Sequence, residues 1–465
     1  MLYAMRKTPD NIIWITTDHM RYDCVAAHGN AAMCTPNIDS LVRNGVSFER
    51  CYANNPVCMP SRSSFMTGCY PQQTGVTNNG RELSPEFDST APRVFGRAGY
   101  RTVQIGKLHF QNHEDHDLDP RARHDYGFDV LQLSEEPGCY EDAYRTWLRG
   151  EHPELVELFT VPRPMTVARR SERAKYSVLD APWEASHSGW IATQFGNNFC
   201  SWGKREGRHF YHLGFYAPHP PLNPTVKMFA PYDGVTLPPH VRAKGDPRDP
   251  GEMADEVLGE YRRHFYAMVT GVDMAIGKIL GTLKETNQLD NTLVVFSADH
   301  GDACGDHGRI AKGPTFLESI MRLPLILHWP DGLGVRERNV KGLVEMVDIM
   351  PTLTELCGIP AHRFFQGISF GRSLLDEAEI VGRPDVYAIH DDGDIMLRTE
   401  RLKYLLYYRD QEQSELLYDL ARDPHEMVDE SGNKAYKERL MELRSRALLR
   451  TLDATSSLLP RPHMF

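Results

Sequence analysis

The chain has 465 residues, with 52 Lys and Arg against 63 Asp and Glu, a formal net charge of −11. Hydrophobic residues at 41% and charged residues at 25% exclude a disordered chain and a whole-chain coiled coil, and allow a large core without disulfide staples. The acidic balance argues against nonspecific nucleic-acid binding, and no apolar run reaches the roughly 18 residues of a membrane span, so neither partner is expected.

At the amino end, the first twenty residues lack the basic, apolar and small-residue succession of a secretory signal, which predicts a cytoplasmic chain. The nine cysteines are an odd number without paired spacing or a C-x2-C motif, as suits reduced thiols. The first predicted strand runs Asn11-Ile12-Ile13-Trp14-Ile15-Thr16-Thr17 and ends at Asp18-His19. Residues 110–255 read as long loops with some helices over one sheet edge, including a basic stretch from Arg163 to Lys175. Within them His113, His116 and His124 read as a solvated loop rather than a metal site.

Next comes a helical series, Leu258, Tyr261, Phe265, Met268, Val272, Ile276, Ile279 and Leu283, whose steps of three and four give one apolar stripe over about seven turns. A second strand follows, Thr292 to Ala298, ending at Asp299-His300-Gly301-Asp302. Both strands are continuous apolar runs, the pattern of a sheet covered on both faces, and helix followed by buried strand predicts an α/β layered fold. Leu323 to Leu327 reads as a third strand, with Pro324 at its beginning. From about residue 375 the texture changes. Short strands at 386–390, 394–399, 402–408 and 414–420, then a helix bearing Leu440, Leu443, Ala447 and Leu448, predict a small antiparallel sheet with one helix. The expected division is an α/β domain over 1–375 and an α+β subdomain over 376–465.

In an open α/β sheet, ligands gather beyond the carboxyl ends of the strands. Asp18 and Asp299, each ending an apolar strand and followed by histidine, would there suit a divalent cation such as Ca²⁺, Mg²⁺ or Mn²⁺. Each Asp taken alone also reads as a helix cap.

The segment Cys58-Met59-Pro60-Ser61-Arg62 fits the C-x-P-S-R pattern and resembles the type I sulfatases, in which this cysteine is oxidised to formylglycine. Further motifs follow in the family's order: Thr35 to Asp39, Phe48 to Ala53, Gly106-Lys107-Leu108-His109, Pro218-His219-Pro220, Ser297 to Asp302, Lys312-Gly313, and Leu417 to Leu420 with Asp423-Pro424 and Glu426. The resemblance implies an alkaline-phosphatase-like fold: a mostly parallel central sheet between helices, with a small C-terminal α+β subdomain. It implies hydrolysis of a small-molecule sulfate ester to alcohol and sulfate, with a formylglycine-generating enzyme as maturation partner.

It also implies the roles. The hydrate of modified Cys58 is nucleophile and metal ligand, because a thiol cannot easily release captured sulfate whereas an aldehyde hydrate can. Arg62 stabilises that hydrate, Lys107 and Lys312 neutralise sulfate oxygens, and His109 and His219 are candidates for proton transfer. Asp18, Cys58, Asp299 and His300 form the expected metal set. Asn79 resembles an anion-contacting asparagine, although Asn-Gly is also a turn signal.

Two departures from the commonest sulfatase pattern are His19 in place of a second acid and His300 in place of Asn. The Asp-His form resembles the choline-sulfatase and phosphonate-monoester-hydrolase branches, and tilts metal preference from Ca²⁺ toward Mn²⁺. His19 is expected to touch the bound anion or to be a further ligand. The rival readings are a phosphonate monoester or phosphodiester hydrolase with the same nucleophile, and a noncatalytic anion- or metal-binding protein of the same fold. A homo-oligomer is compatible with the sequence.

Overall fold

The computed structural model of the chain describes residues 7–112, 123–160, 176–202, 207–242, 246, 249–251, 253–313, 315–391, 393–409 and 412–455. His113, His116 and the Arg163 to Lys175 stretch lie outside these, while His124 is exposed.

Nine strands build the main sheet: β1 (Asn11–Thr17), β2 (Val46–Tyr52), β3 (Tyr100–Gly106), β4 (Val130–Leu133), β5 (Arg208–Phe215), β6 (Thr292–Ala298), β7 (Arg322–Leu323), β8 (Leu325–His328) and β9 (Arg338–Glu345). Their order is β4-β3-β5-β1-β6-β8-β2-β7, with β9 paired to β2. From β4 to β6 every pairing is parallel, and β8 runs against its neighbours. The expected first two strands are β1 and β6, in which every residue is buried. Pro324 falls between β7 and β8, where the missing N–H interrupts the ladder.

Helices flank this sheet, among them α1 (Pro36–Arg43), α2 (Cys58–Thr67), α3 (His187–Trp202) and α4 (Asp255–Glu285). In α4 the anticipated stripe is buried from Leu258 to Leu283, except Met268, which is half-buried. Each such Leu, Ile, Val or Phe contributes roughly 1.5–3 kcal/mol on leaving water.

The segment 110–255 is the main departure from the sequence reading. It contains β4, α3 and β5, and β5 lies beside β1 in the middle of the sheet. On β5, His212 is satisfied inside the sheet: its Nδ1 lies 2.5 Å from Gln104 Oε1 and its Nε2 lies 2.9 Å from Thr16 Oγ1.

The second sheet is antiparallel, β10 (Asp385–His390), β11 (Asp394–Thr399), β12 (Leu402–Arg409) and β13 (Glu412–Asp419) in sequential order. Helix α5 (Lys437–Thr455) buries Leu440, Leu443 and Ala447 against it, whereas Leu448, expected on the same stripe, is 61% exposed. Among the described residues, no helix is long and apolar enough to cross a membrane.

Candidate active site

The parallel register aligns the carboxyl ends of four strands. Thr17 pairs with both Ala298 and Phe215, and Gly106 with Gly214. Asp18, Asp299, Lys107 and the Tyr216–His219 loop therefore leave the sheet along one edge, where ligands gather. Two glycines bring β3 and β5 together there. Lys107 N–H donates to the Gly214 carbonyl at 2.7 Å, a Cβ on Gly106 would lie 2.2 Å from that oxygen, and one on Gly214 would lie 1.8 Å from the Lys107 carbonyl.

Cys58 is the first residue of α2, at the end where unpaired N–H groups and the helix dipole favour an anion. Val57, before it, has no side chain able to cap the helix. Asn79 takes that part, its Oδ1 accepting the Met59 N–H at 3.0 Å. Asn79 is exposed, so the turn reading and the position beside α2 hold together.

Cys58, Asp18, His19 and His300 are buried, and their ligand atoms all lie within 4.8 Å of one another. The Cys58 thiol faces Asp18 Oδ1 at 3.6 Å and His300 Nε2 at 3.2 Å, and Lys312 Nζ contacts the sulfur. Lys107 Nζ pairs with Asp18 Oδ2 at 2.7 Å, while Lys312 Nζ lies 3.3 Å from His300 Nε2. Burial would raise the Asp18 carboxyl, but Lys107, His219, Lys312 and Arg62 together hold it well below the usual range. Burial and Asp18 push the Cys58 thiol up to about 12 against those ammonium groups. Burial and Asp18 thus outweigh the nearby cations, and the group is held as a thiol rather than a reactive thiolate.

Asp299 borders this group. Its Oδ1 accepts the N–H groups of His19 and His300, and its Oδ2 accepts Arg62 Nε at 2.7 Å. Arg62 also reaches the Lys107 carbonyl with Nη1 and stands 3.7 Å from Asp18, so a fully buried guanidinium ties three strand ends to α2.

The imidazoles are oriented by hydrogen bonds at Nδ1. In His300 that nitrogen donates to the Gly301 carbonyl at 2.8 Å, and in His219 to the Pro220 carbonyl at 2.6 Å, which leaves each Nε2 with a lone pair. His19 Nδ1 lies 2.7 Å from Asp302 Oδ2, a carboxylate that also accepts the Tyr261 hydroxyl. Its Nε2 is buried without a hydrogen-bond partner and lies 3.7 Å from Asp18 Oδ1. The rings of His19 and His219 stand edge to face, 4.3 Å apart. Burial lowers the pKa of all three histidines, most strongly in His19 and His219.

A buried lone pair that accepts nothing is costly unless a cation meets it, and a carboxylate behind the far ring nitrogen is the usual support of a histidine ligand. The donor set of two imidazoles, a carboxylate and the Cys58 side chain thus fits a divalent cation. His19, expected at the anion or as a further ligand, has a ring nitrogen within this group of donor atoms. His109 follows β3 with φ 59°, its backbone N–H held by Glu135 Oε1 at 2.9 Å. The motifs gave no role to Asp302 and did not reach Glu135 or Tyr216. Tyr216 packs its ring 5.0 Å from Lys107 Nζ and 4.6 Å from the His219 ring.

A nearly parallel sheet with acid, imidazole and cationic groups converging on one buried side chain defines an alkaline-phosphatase-like hydrolase of tetrahedral anions. Among solved structures, the phosphonate monoester hydrolase of Agrobacterium radiobacter superposes with a TM-score of 0.80 at 24% identity, covering 96% of both chains. A protein solved with its substrate D-glucosamine-2-N,6-O-disulfate superposes with a TM-score of 0.75 at 20% identity, over 98% of this chain and 100% of that one.

Residues 10–359 match the sulfatase family, and residues 305–452 match the N-sulphoglucosamine sulphohydrolase C-terminal family. An arylsulfatase of Clostridium perfringens is 28% identical over 95% of this chain and 94% of its own. An N-acetylglucosamine-6-O-sulfatase of Bacteroides thetaiotaomicron is 25% identical over 93% and 84%. The chain belongs to the sulfatase family. It is a sulfuric ester hydrolase.

Proposed function

We propose that the protein hydrolyses a sulfate ester with formylglycine, made from Cys58 by a formylglycine-generating enzyme, as its nucleophile. The observation that carries this reading is the convergence of Asp18, His19, Cys58 and His300 within 4.8 Å at the mouth of α2, ringed by Arg62, Lys107 and Lys312. When hydrated, formylglycine would supply a geminal diol: one hydroxyl would attack sulfur as the S–O bond to the alcohol breaks and the alcohol leaves with a proton, and the other, on losing its proton, would expel sulfate as the carbonyl reforms.

Asp18, His19, His300 and the Cys58 side chain would hold the cation, with Asp299 beside them. Bound there, it lowers the pKa of the nucleophile and offsets the charge of the anion. The imidazole-rich set favours Mn²⁺ over Ca²⁺. Arg62 orients the nucleophile end of α2. Lys107 and Lys312 face the sulfate oxygens and counter charge as it builds on them. His219, with its lone pair at Nε2, accepts a proton, and His109 is the second proton carrier. Asn79 borders the anion from the loop that caps α2. The nine unbridged cysteines support a cytoplasmic setting.

The test is the mass of the Cys58 peptide from a host shown to convert a control sulfatase, together with turnover of 4-nitrophenyl sulfate. Aldehyde or hydrate at Cys58, and at least a 10³-fold loss of rate in Cys58→Ala with metal still bound, are expected. An intact thiol in active protein would overturn the mechanism. The likeness to phosphonate monoester hydrolase favours a second reading, cleavage of phosphonate monoesters or phosphodiesters. Faster turnover of an aryl phosphodiester than of the matching sulfate would establish it.

A further inference from the structure

Beside the reaction centre, behind the Tyr216 ring, lies a cavity of about 70 Å³ open on one side. Tyr144, Phe159, Leu179 and Tyr216 give it apolar and aromatic walls, and His187 projects polarity into them. His187 begins α3, is 8% exposed, and has no hydrogen-bond partner on either ring nitrogen. Its neighbours are rings: Trp190 at 5.3 Å, Tyr144 at 5.5 Å and Tyr216 at 6.5 Å between centroids. Burial, with a smaller contribution from Lys107, pushes the imidazole down to about 3, so at working pH the ring is neutral. A neutral imidazole carries one donor and one acceptor, and leaving both unmet in a buried position is rare.

The position of the cavity says what would meet them. Tyr216 forms its wall and also packs on Lys107 and His219, so the cavity lies one ring away from the proposed sulfate site. The volume is about half that of the 150 Å³ apolar cavity that takes benzene. It therefore admits one edge of an aromatic ring through the open side. Aromatic walls suit a flat ring, and an imidazole with both nitrogens unpaired suits a polar substituent on it.

We infer that this cavity is a subsite for the leaving group of an aryl sulfate, with His187 hydrogen-bonding a hydroxyl on the ring. The inference rests on the sulfate-ester reading for its place in catalysis, but occupancy can be measured without turnover.

The experiment has two arms, each run on the whole protein and on His187→Phe and His187→Gln. In the first, kcat/KM is compared for 4-hydroxyphenyl sulfate and its isostere 4-methylphenyl sulfate. The wild type should prefer the hydroxyl by about tenfold, as expected for a buried polar group satisfied by one substrate and stranded by the other. His187→Phe should erase or invert that preference, and His187→Gln should keep part of it. In the second arm, calorimetry with hydroquinone should show binding that weakens at least tenfold in His187→Phe. Unchanged selectivity in folded variants, or hydroquinone binding indifferent to His187, would overturn the subsite. If the protein turns over neither sulfate, the first arm bears on the catalytic reading, and the calorimetry still decides the cavity.

Discussion

A histidine at φ 59° sits in the left-handed region, where a non-glycine residue costs on the order of 1 kcal/mol or more and persists only if its surroundings fix it. For His109 the fixing group is Glu135. Its Oε1 accepts the N–H of Leu108 at 3.3 Å and of His109 at 2.9 Å, and the side chain is 4% exposed. The turn so held carries Lys107, whose ammonium meets Asp18, and His109, a proposed proton carrier. Glu135 thus acts as a positioning residue. Glu135→Ala should strand both N–H groups, cost about 1–3 kcal/mol of stability, and lower kcat by tenfold or more with Cys58 still converted. Glu135→Gln keeps the accepting oxygen and should restore most of the rate. Equal loss in both variants would mean that the charge, not the hydrogen bonds, is what the site uses. Neither Glu135 nor the Asp302 support of His19 was legible in the sequence. Their partners are backbone groups or lie far along the chain, 283 positions in the case of His19 and Asp302. Cys58, Arg62, Lys107 and Lys312 were legible because their motifs are local.

Elements were readable wherever burial was bought with apolar side chains. β1 and β6 announce themselves as unbroken runs, and α4 by its stripe. β5 did not, because His209 and His212 make its sequence resemble a loop, and their hydrogen bonds to Asn11, Gln104 and Thr16 exist only once the sheet has formed. The start of α1 has the same character. Thr35 does not cap it by side chain, and the cap comes from α4: Asp273 Oδ1 accepts the N–H of Asn37 at 2.9 Å and of Ile38 at 2.8 Å. Burial pushes the Asp273 carboxyl up to about 6, opposed by those hydrogen bonds. A folded-state pKa above the unfolded value means that the folded chain binds more protons through this window. The contribution of this group to stability is therefore full below about pH 4. It is lost as pH rises through 6, by up to about 3 kcal/mol. Asp273→Asn keeps the accepting oxygen and removes the titration. Its stability relative to wild type, from urea melts, should rise between pH 4.5 and pH 7. A difference flat across that range would show that the cap is not stressed by its charge.

At the scale of the whole molecule, the antiparallel C-terminal sheet is wired into the Cys58 end of α2. Asn55, three residues before Cys58, donates to the carbonyls of Thr77 and Ile389 at 3.0 and 2.5 Å and accepts the Val57 N–H at 2.9 Å. Asp391 N–H donates to the same Thr77 carbonyl, so the β10–β11 turn grips the loop that carries Asn79. Behind it, fully buried Glu345 at the end of β9 accepts Arg450 Nη2 of α5 at 2.6 Å and the Tyr387 N–H of β10 at 2.7 Å, and contacts the Tyr70 hydroxyl just beyond α2. Arg450 also pairs with Asp385 at 2.8 Å. Burial would raise the Glu345 carboxyl, but Arg383 and Arg450 keep it low, so it is charged and depends on them. Removing one partner of a buried ion pair costs about 3–5 kcal/mol, because the remaining charge stays out of water. Arg450→Ala should therefore lower the melting temperature by several degrees. Since Glu345 touches the segment just beyond α2, α5 and both sheets, the transition should remain single, and sulfatase activity should fall along it. A separate early transition, with activity surviving it, would show instead that the C-terminal sheet melts on its own and that the segment leading into Cys58 does not lean on it.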